Sequence, residues 1–214
     1  MYHMKHIILF LLFTFSINSA FADSPLTSTD FYKAYMDVPM VQDALNCKGK
    51  ITNEMLEFIY IDTNPLEVKL AIINAVGWKV SGLKNSRKFF SYVMNKKKYK
   101  KEFGGAETAF NWNASADELI CYAYMKALDN YFDVVESYNA AGLALDKNPN
   151  SFAVNMIYNL IKAQGMIAFG ETCYMKNLFH TLKTNTNLQM DMKKESMSYV
   201  FEYMEMIGVE CKTN

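Results

Sequence analysis

The stretch Asn64-Pro65-Leu66-Glu67-Val68-Lys69-Leu70-Ala71-Ile72-Ile73-Asn74-Ala75-Val76-Gly77 decides the fold class of this chain. Asparagine is a good helix N-cap, proline suits the first helical position because its missing N–H has no partner there anyway, and Glu67 puts negative charge where the helix dipole is positive. Leu66, Leu70, Ile73 and Gly77 recur along one side, with Ala71 and Ile72 beside them. This spacing reads as a helix buried on nearly all sides, and such a helix needs other elements packed around it.

The neighbouring sequence supplies them. Asn148-Pro149 repeats the start signal ahead of Phe152, Met156, Ile157, Leu160 and Ile161, and Ser115-Ala116-Asp117-Glu118 has the spacing of a capping box. No segment after residue 22 sustains the strict alternation of a strand, whereas helical periods recur throughout. The expected fold is all-α, with helices at about 29–45, 52–60, 65–78, 86–100, 115–128, 131–145, 150–167, 172–184 and 191–207. Short joins make consecutive helices antiparallel hairpins, stacked as a bundle or a short α-solenoid of about eight or nine helices in one domain, 23–214. The longest break, 102–114, opens with Gly104-Gly105 and is a candidate functional loop.

Ser137 to Pro149, with small residues at Ser137 and Ala144 and a proline before the next helix, resembles the junction between tetratricopeptide repeats. No 34-residue period accompanies it, so the resemblance implies a stack of helical hairpins and nothing more.

Lys5 followed by the apolar run Ile7–Phe15 and by Ala20-Phe21-Ala22 has the three parts of a secretory signal peptide, residues 1–22, cleaved before Asp23. The apolar run is too short to span a bilayer, so no integral span is expected after cleavage. The signal peptide makes the expected location periplasmic or secreted; the abundance of lysine, asparagine, isoleucine, tyrosine and phenylalanine is the bias of an AT-rich genome and points to a Gram-negative bacterium, for which export leads to the periplasm or beyond.

All four cysteines, Cys47, Cys121, Cys173 and Cys211, follow the cleavage site. An even count in an oxidising compartment favours two disulfides. Three connectivities are possible, and buried free thiols are the alternative; the favoured pair is Cys173 with Cys211, which fall at the start and end of two successive antiparallel helices and so at one end of the pair, and Cys47 with Cys121 then follows by elimination.

Scarcity narrows the chemistry further. Beyond residue 22 the chain has one histidine, His180, and one arginine, Arg87. Imidazole-based metal sites need two or three histidines, and no HExxH, GxSxG, P-loop or GxGxxG occurs, so neither a metal nor a cofactor is expected. His180 reads as a cation near a helix C-terminus. Met190, Met192, Met204 and Met206 offer soft thioether ligands, but methionine also fills irregular core gaps, which is the simpler use of them. Catalysis by paired carboxylates survives this exclusion, with Glu102, Glu107, Asp117, Glu118, Asp129, Asp133 and Glu136 as candidate acids.

One asymmetry stands above the rest. The formal charge of the whole chain is zero, yet Val68 to Lys101 holds ten bases and no acid. The flanking segments are acidic: 23–67 carries −5 and 102–146 carries −7. A block of this kind attracts anions over roughly 8 Å at physiological salt. The candidate binding patch is Lys84, Arg87, Lys88, Lys96, Lys97, Lys98, Lys100 and Lys101. Its expected partner is an acidic protein surface or an anionic envelope component. Nucleic acid is not expected, since base and phosphate recognition leans on bidentate arginine. The expected function is therefore an exported, non-catalytic macromolecule-binding protein, one specific form of which is an immunity or inhibitor protein for a periplasmic toxin. The alternative is a cell-envelope glycan-acting enzyme that uses paired carboxylates.

Overall fold

Apolar residues at helical spacing collapse onto one another in the computed structural model of the protein, which describes residues 24–99, 104–167, 169–207 and 211. The expected signal segment 1–22 lies outside the described residues. Among those described, a short 3-10 helix, Phe31–Tyr35, precedes ten α-helices: α1 Pro39–Asn46, α2 Asn53–Tyr60, α3 Leu66–Val76, α4 Asn85–Lys97, α5 Gly105–Asn113, α6 Ala116–Asp129, α7 Val135–Lys147, α8 Phe152–Ile167, α9 Thr172–Thr184 and α10 Lys194–Ile207. The fold is all-α, as expected, and one apolar cluster forms its core.

Two helices lie at the centre. Every residue of α3 from Lys69 to Val76 is buried, which is what its nearly continuous apolar surface requires. α6 is buried from Glu118 to Met125 and again from Ala127 to Asp129, and packs against α3, α4, α7 and α8. The capping box at its start is formed: the Ser115 hydroxyl accepts the Glu118 N–H, and the Glu118 carboxylate accepts the Ser115 N–H at 2.8 Å. From α6 onward, consecutive helices pack as hairpins. The stack then closes on itself. α10 returns to the 3-10 helix, where the Tyr35 hydroxyl lies 3.2 Å from Ser196 Oγ and accepts the Lys193 N–H at 3.1 Å. This return contact makes the architecture a closed bundle and not an open solenoid.

The departures from expectation have local causes. The helix expected over 29–45 is broken at Pro39, which lacks an N–H; Val38 before it is extended, and α1 starts afresh. Asn64 is not the cap of α3: its amide donates to the Phe58 carbonyl at 2.8 Å, and the helix starts at Leu66. α10 starts at Lys194 and not at 191, because the Asp191 carboxylate holds the beginning of α8, accepting from Ser151 Oγ at 2.6 Å and from the Ala153 N–H at 2.8 Å. The break expected over 102–114 contains α5.

Candidate functional site

α4, which carries Arg87, Lys88, Lys96 and Lys97 of the basic stretch, begins where α6 ends, and a buried polar network fastens the two. The Asp129 carboxylate accepts the Asn85 N–H at 3.0 Å, the Ser86 N–H at 2.8 Å and the Ser86 hydroxyl at 2.7 Å. It thereby satisfies N–H groups that the first turn of a helix leaves unpaired. Asn85 extends the network outward: its amide donates to the Gly49 carbonyl at 3.0 Å and accepts the Ile51 N–H at 3.1 Å. The Leu83 N–H donates to the Asp129 carbonyl at 3.1 Å. Two glycines make this closeness possible. Gly82 has φ +76°, and a Cβ there would stand 3.1 Å from the Asp129 carbonyl; Gly49 has φ +78°, and its Cβ would stand 3.0 Å from Lys79 Cε.

The network draws three segments to one end of the bundle: the turn after α1, the loop between α3 and α4, and the first turn of α4. Lys48 and Lys50 come from the first, Lys79 and Lys84 from the second, Arg87 and Lys88 from the third, and all six are exposed. None forms an ion pair with a described residue; the nearest polar contact of Lys88 Nζ is the Ile51 carbonyl at 3.5 Å. Lys84, Arg87 and Lys88 line an open groove of about 630 Å³ between α2 and α4, with Ile51 and Leu56 on its apolar side and Tyr92 and Asn95 further along.

The structure splits the basic patch expected from the sequence. Lys84, Arg87 and Lys88 are free, whereas Lys96 pairs with Glu57 at 3.0 Å and Lys97 with Glu118 at 2.9 Å. Burial works against the Lys97 ammonium, but the hydrogen bond and negative charge of Glu118 hold its pKa above the usual lysine value. Lys69 is neutralised as well, 3.2 Å from Asp117 with its side chain only 1% exposed. Lys98 is exposed and ends α4 in a left-handed conformation, φ +50°. Lys100 and Lys101 lie outside the described residues. The expected patch omitted Lys79, which lies within the acid-free stretch, and Lys48 and Lys50, which lie outside it; the tight turn Lys48-Gly49-Lys50 was the available signal for the last two.

Cys173 and Cys211 form the expected disulfide, Cα–Cα 5.4 Å. The pairing of Cys47 with Cys121 is corrected: both are free thiols. Cys121 lies two turns before Asp129 on α6, close enough to Lys69 and Asp117 to feel their charges, whereas Cys47 ends α1 beside the turn that Asn85 holds at the Asp129 end. They stand at different levels of the central helices. Burial pushes the Cys121 thiol pKa far up.

The candidate acids are dispersed. Asp117 is tied to Lys69, Glu118 to its capping box and Lys97, Asp129 to α4 and Glu136 to Lys126, while Asp133 accepts the Val135 N–H at 3.2 Å. Glu107 is exposed, and Glu102 lies outside the described residues. His180 is exposed on α9. Of the paired methionines, Met192 and Met204 are core residues and Met190 and Met206 are exposed. Among the described residues, no helix is long and apolar enough to cross a membrane. Comparison with protein-family models, with curated proteins and with solved structures finds no match to this chain.

Proposed function

We propose that this protein is an exported, non-catalytic binding protein that holds an acidic partner, a protein surface or an anionic envelope component, against the end formed by Lys48, Lys50, Lys79, Lys84, Arg87 and Lys88. The observation that carries the reading is a division within one acid-free stretch: Lys69, Lys96 and Lys97 are spent on internal acids, while the cations at the Asp129 end meet none among the described residues. A network anchored in the central helix α6 fixes the backbone that displays them, so the charge is presented in a set geometry. Fixed like charges with no partner raise the local potential and accelerate encounter with an anion. An immunity or inhibitor protein is one form of this function, its acidic partner then being an exported toxin. Catalysis by paired carboxylates finds no support in the acids, because Asp117, Glu118, Asp129 and Glu136 are each engaged in holding helices together.

The test is retention on a sulfated polysaccharide resin at low salt. The wild-type chain from Asp23 is expected to be retained and released by salt, and K84E/R87E/K88E to pass through with its thermal melting unchanged, since all three side chains are exposed. Equal retention of the two proteins would remove this end from the function.

A further inference from the structure

Five large apolar side chains are more than half exposed by a wide margin: Val80 at 70%, Trp112 at 80%, Phe132 at 65%, Val135 at 66% and Phe169 at 79%. Four of them stand at the same end of the bundle. Val80 is on the loop between α3 and α4, Phe132 and Val135 are where α6 turns into α7, and Phe169 follows α8. The three connections converge on Tyr131. The Trp78 ring meets the Tyr131 ring edge-on at 4.8 Å, and Gln164 near the end of α8 donates to the Tyr131 carbonyl at 3.2 Å. A Cβ on Gly165 would stand 3.3 Å from a Val134 methyl, so α8 lies directly against this turn. Scattered single apolar residues are ordinary on a soluble protein, but a group gathered from three connections at one end marks a contact surface.

This end is also the basic one. The loop that carries Val80 carries Lys79 and Lys84 and is bonded through Leu83 to Asp129, just before Tyr131. We infer that the acidic partner is the surface of an anionic lipid bilayer, met end-on, with Val80, Phe132, Val135 and Phe169 entering the headgroup layer and the cations lying against lipid phosphates. The inference rests on the reading proposed above, and narrows it to one partner. Apolar residues on loop tips with basic residues beside them are the pattern of interfacial binding, in which burial and electrostatic attraction add. Acids at this end are outnumbered: Glu136 is paired with Lys126, while Asp133, which accepts the Val135 N–H, and Glu171 are exposed and keep their charge against the six free cations.

Co-sedimentation of the chain from Asp23, which contains every described residue, with vesicles of phosphatidylcholine alone or mixed with phosphatidylglycerol tests this. Binding is expected only with phosphatidylglycerol. F132S/F169S and K84E/R87E/K88E are each expected to weaken it tenfold or more, with circular dichroism melting curves like that of the wild type. Anionic-vesicle binding that F132S/F169S leaves unchanged would overturn the lipid inference. So would salt-sensitive retention on the sulfated resin without any vesicle binding; the acidic partner would then be a protein or a soluble polymer, and the basic end would keep its proposed role. Neither retention nor vesicle binding would sink both.

Discussion

Asp129 accepts the Asn85 backbone N–H at 3.0 Å, and this one contact joins the last residue of the most buried helix to the first residue of the most basic one. Because Asn85 also holds Gly49 and Ile51, the displayed lysines of three segments depend on a single buried carboxylate.

Asp129→Ala is therefore expected to cost about 2–4 kcal/mol, since it removes both a helix cap and charge-assisted hydrogen bonds to groups that then lie buried without a partner. Asn85→Ala is expected to cost less in stability, because α4 keeps its cap, but to loosen the Lys48–Lys50 turn. Urea unfolding measures the first effect, and hydrogen exchange at Lys50 and Ile51 the second. An Asp129→Ala protein within about 0.5 kcal/mol of wild type, the range of an ordinary surface change, would contradict this account.

Lys69 and Asp117 give a prediction about order. The Lys69 side chain is 1% exposed and Asp117 30% exposed, so the two partners are not equivalent. Asp117→Ala strands a buried ammonium and is expected to cost about 3–5 kcal/mol, whereas Lys69→Met replaces it with an apolar chain of similar length and leaves Asp117 in reach of water. Lys69→Met should be the milder change by at least about 1.4 kcal/mol, a tenfold difference in the folded-to-unfolded ratio measured in denaturant. The reverse order would mean that the ion pair, and not its burial, sets the cost.

The same residues show what could be read from the sequence alone. The buried helices were legible because apolar residues at helical spacing report burial directly, and the Ser115–Glu118 cap because its whole mechanism is local. α5 was not: it starts on Gly104 and Gly105, both at positive φ, and buries only Ala109 and Phe110, so its periodic signal is weak. The basic stretch was visible as a run, but which lysines stay free is decided by acids brought in by folding, Asp117 to Lys69, Glu57 to Lys96 and Glu118 to Lys97. Lys48 and Lys50 joined the site through Asn85, a contact with no counterpart in local spacing. The Cys173–Cys211 bridge followed from helix order, whereas pairing the remaining cysteines by elimination assumed that both must be paired.

That assignment makes a direct prediction. Alkylation of the native, non-reduced protein near pH 8 is expected to label Cys47, which is partly exposed, and to spare Cys121, whose burial disfavours the reactive thiolate. Cys121 should react only on unfolding. Replacing Cys173 and Cys211 with serine reopens a loop with sequence separation 38, an expected loss of about 3–4 kcal/mol on the chain-entropy account. Peptide mapping that finds Cys47 linked to Cys121 would refute the assignment.

Alkaline pH offers a last test, through Tyr99. Burial first, and the Glu118 carboxylate that accepts its hydroxyl at 3.2 Å second, push its phenol up to about 12 from the ordinary 10.0. Burial also raises Tyr124 and Tyr35, both packed in the core. A group whose folded pKa lies above its unfolded value binds its proton more tightly when folded. The stability it contributes is complete below pH 10, where both states are protonated, and drains away as pH rises from 10 toward about 12. The urea midpoint is therefore expected to fall across that interval. Tyr99→Phe keeps the ring but has no phenol to ionise, so its midpoint should fall less steeply than that of wild type, and its tyrosinate absorbance should lose amplitude near pH 12. Identical slopes for the two proteins would show that Tyr99 is neither buried nor held by Glu118 in solution.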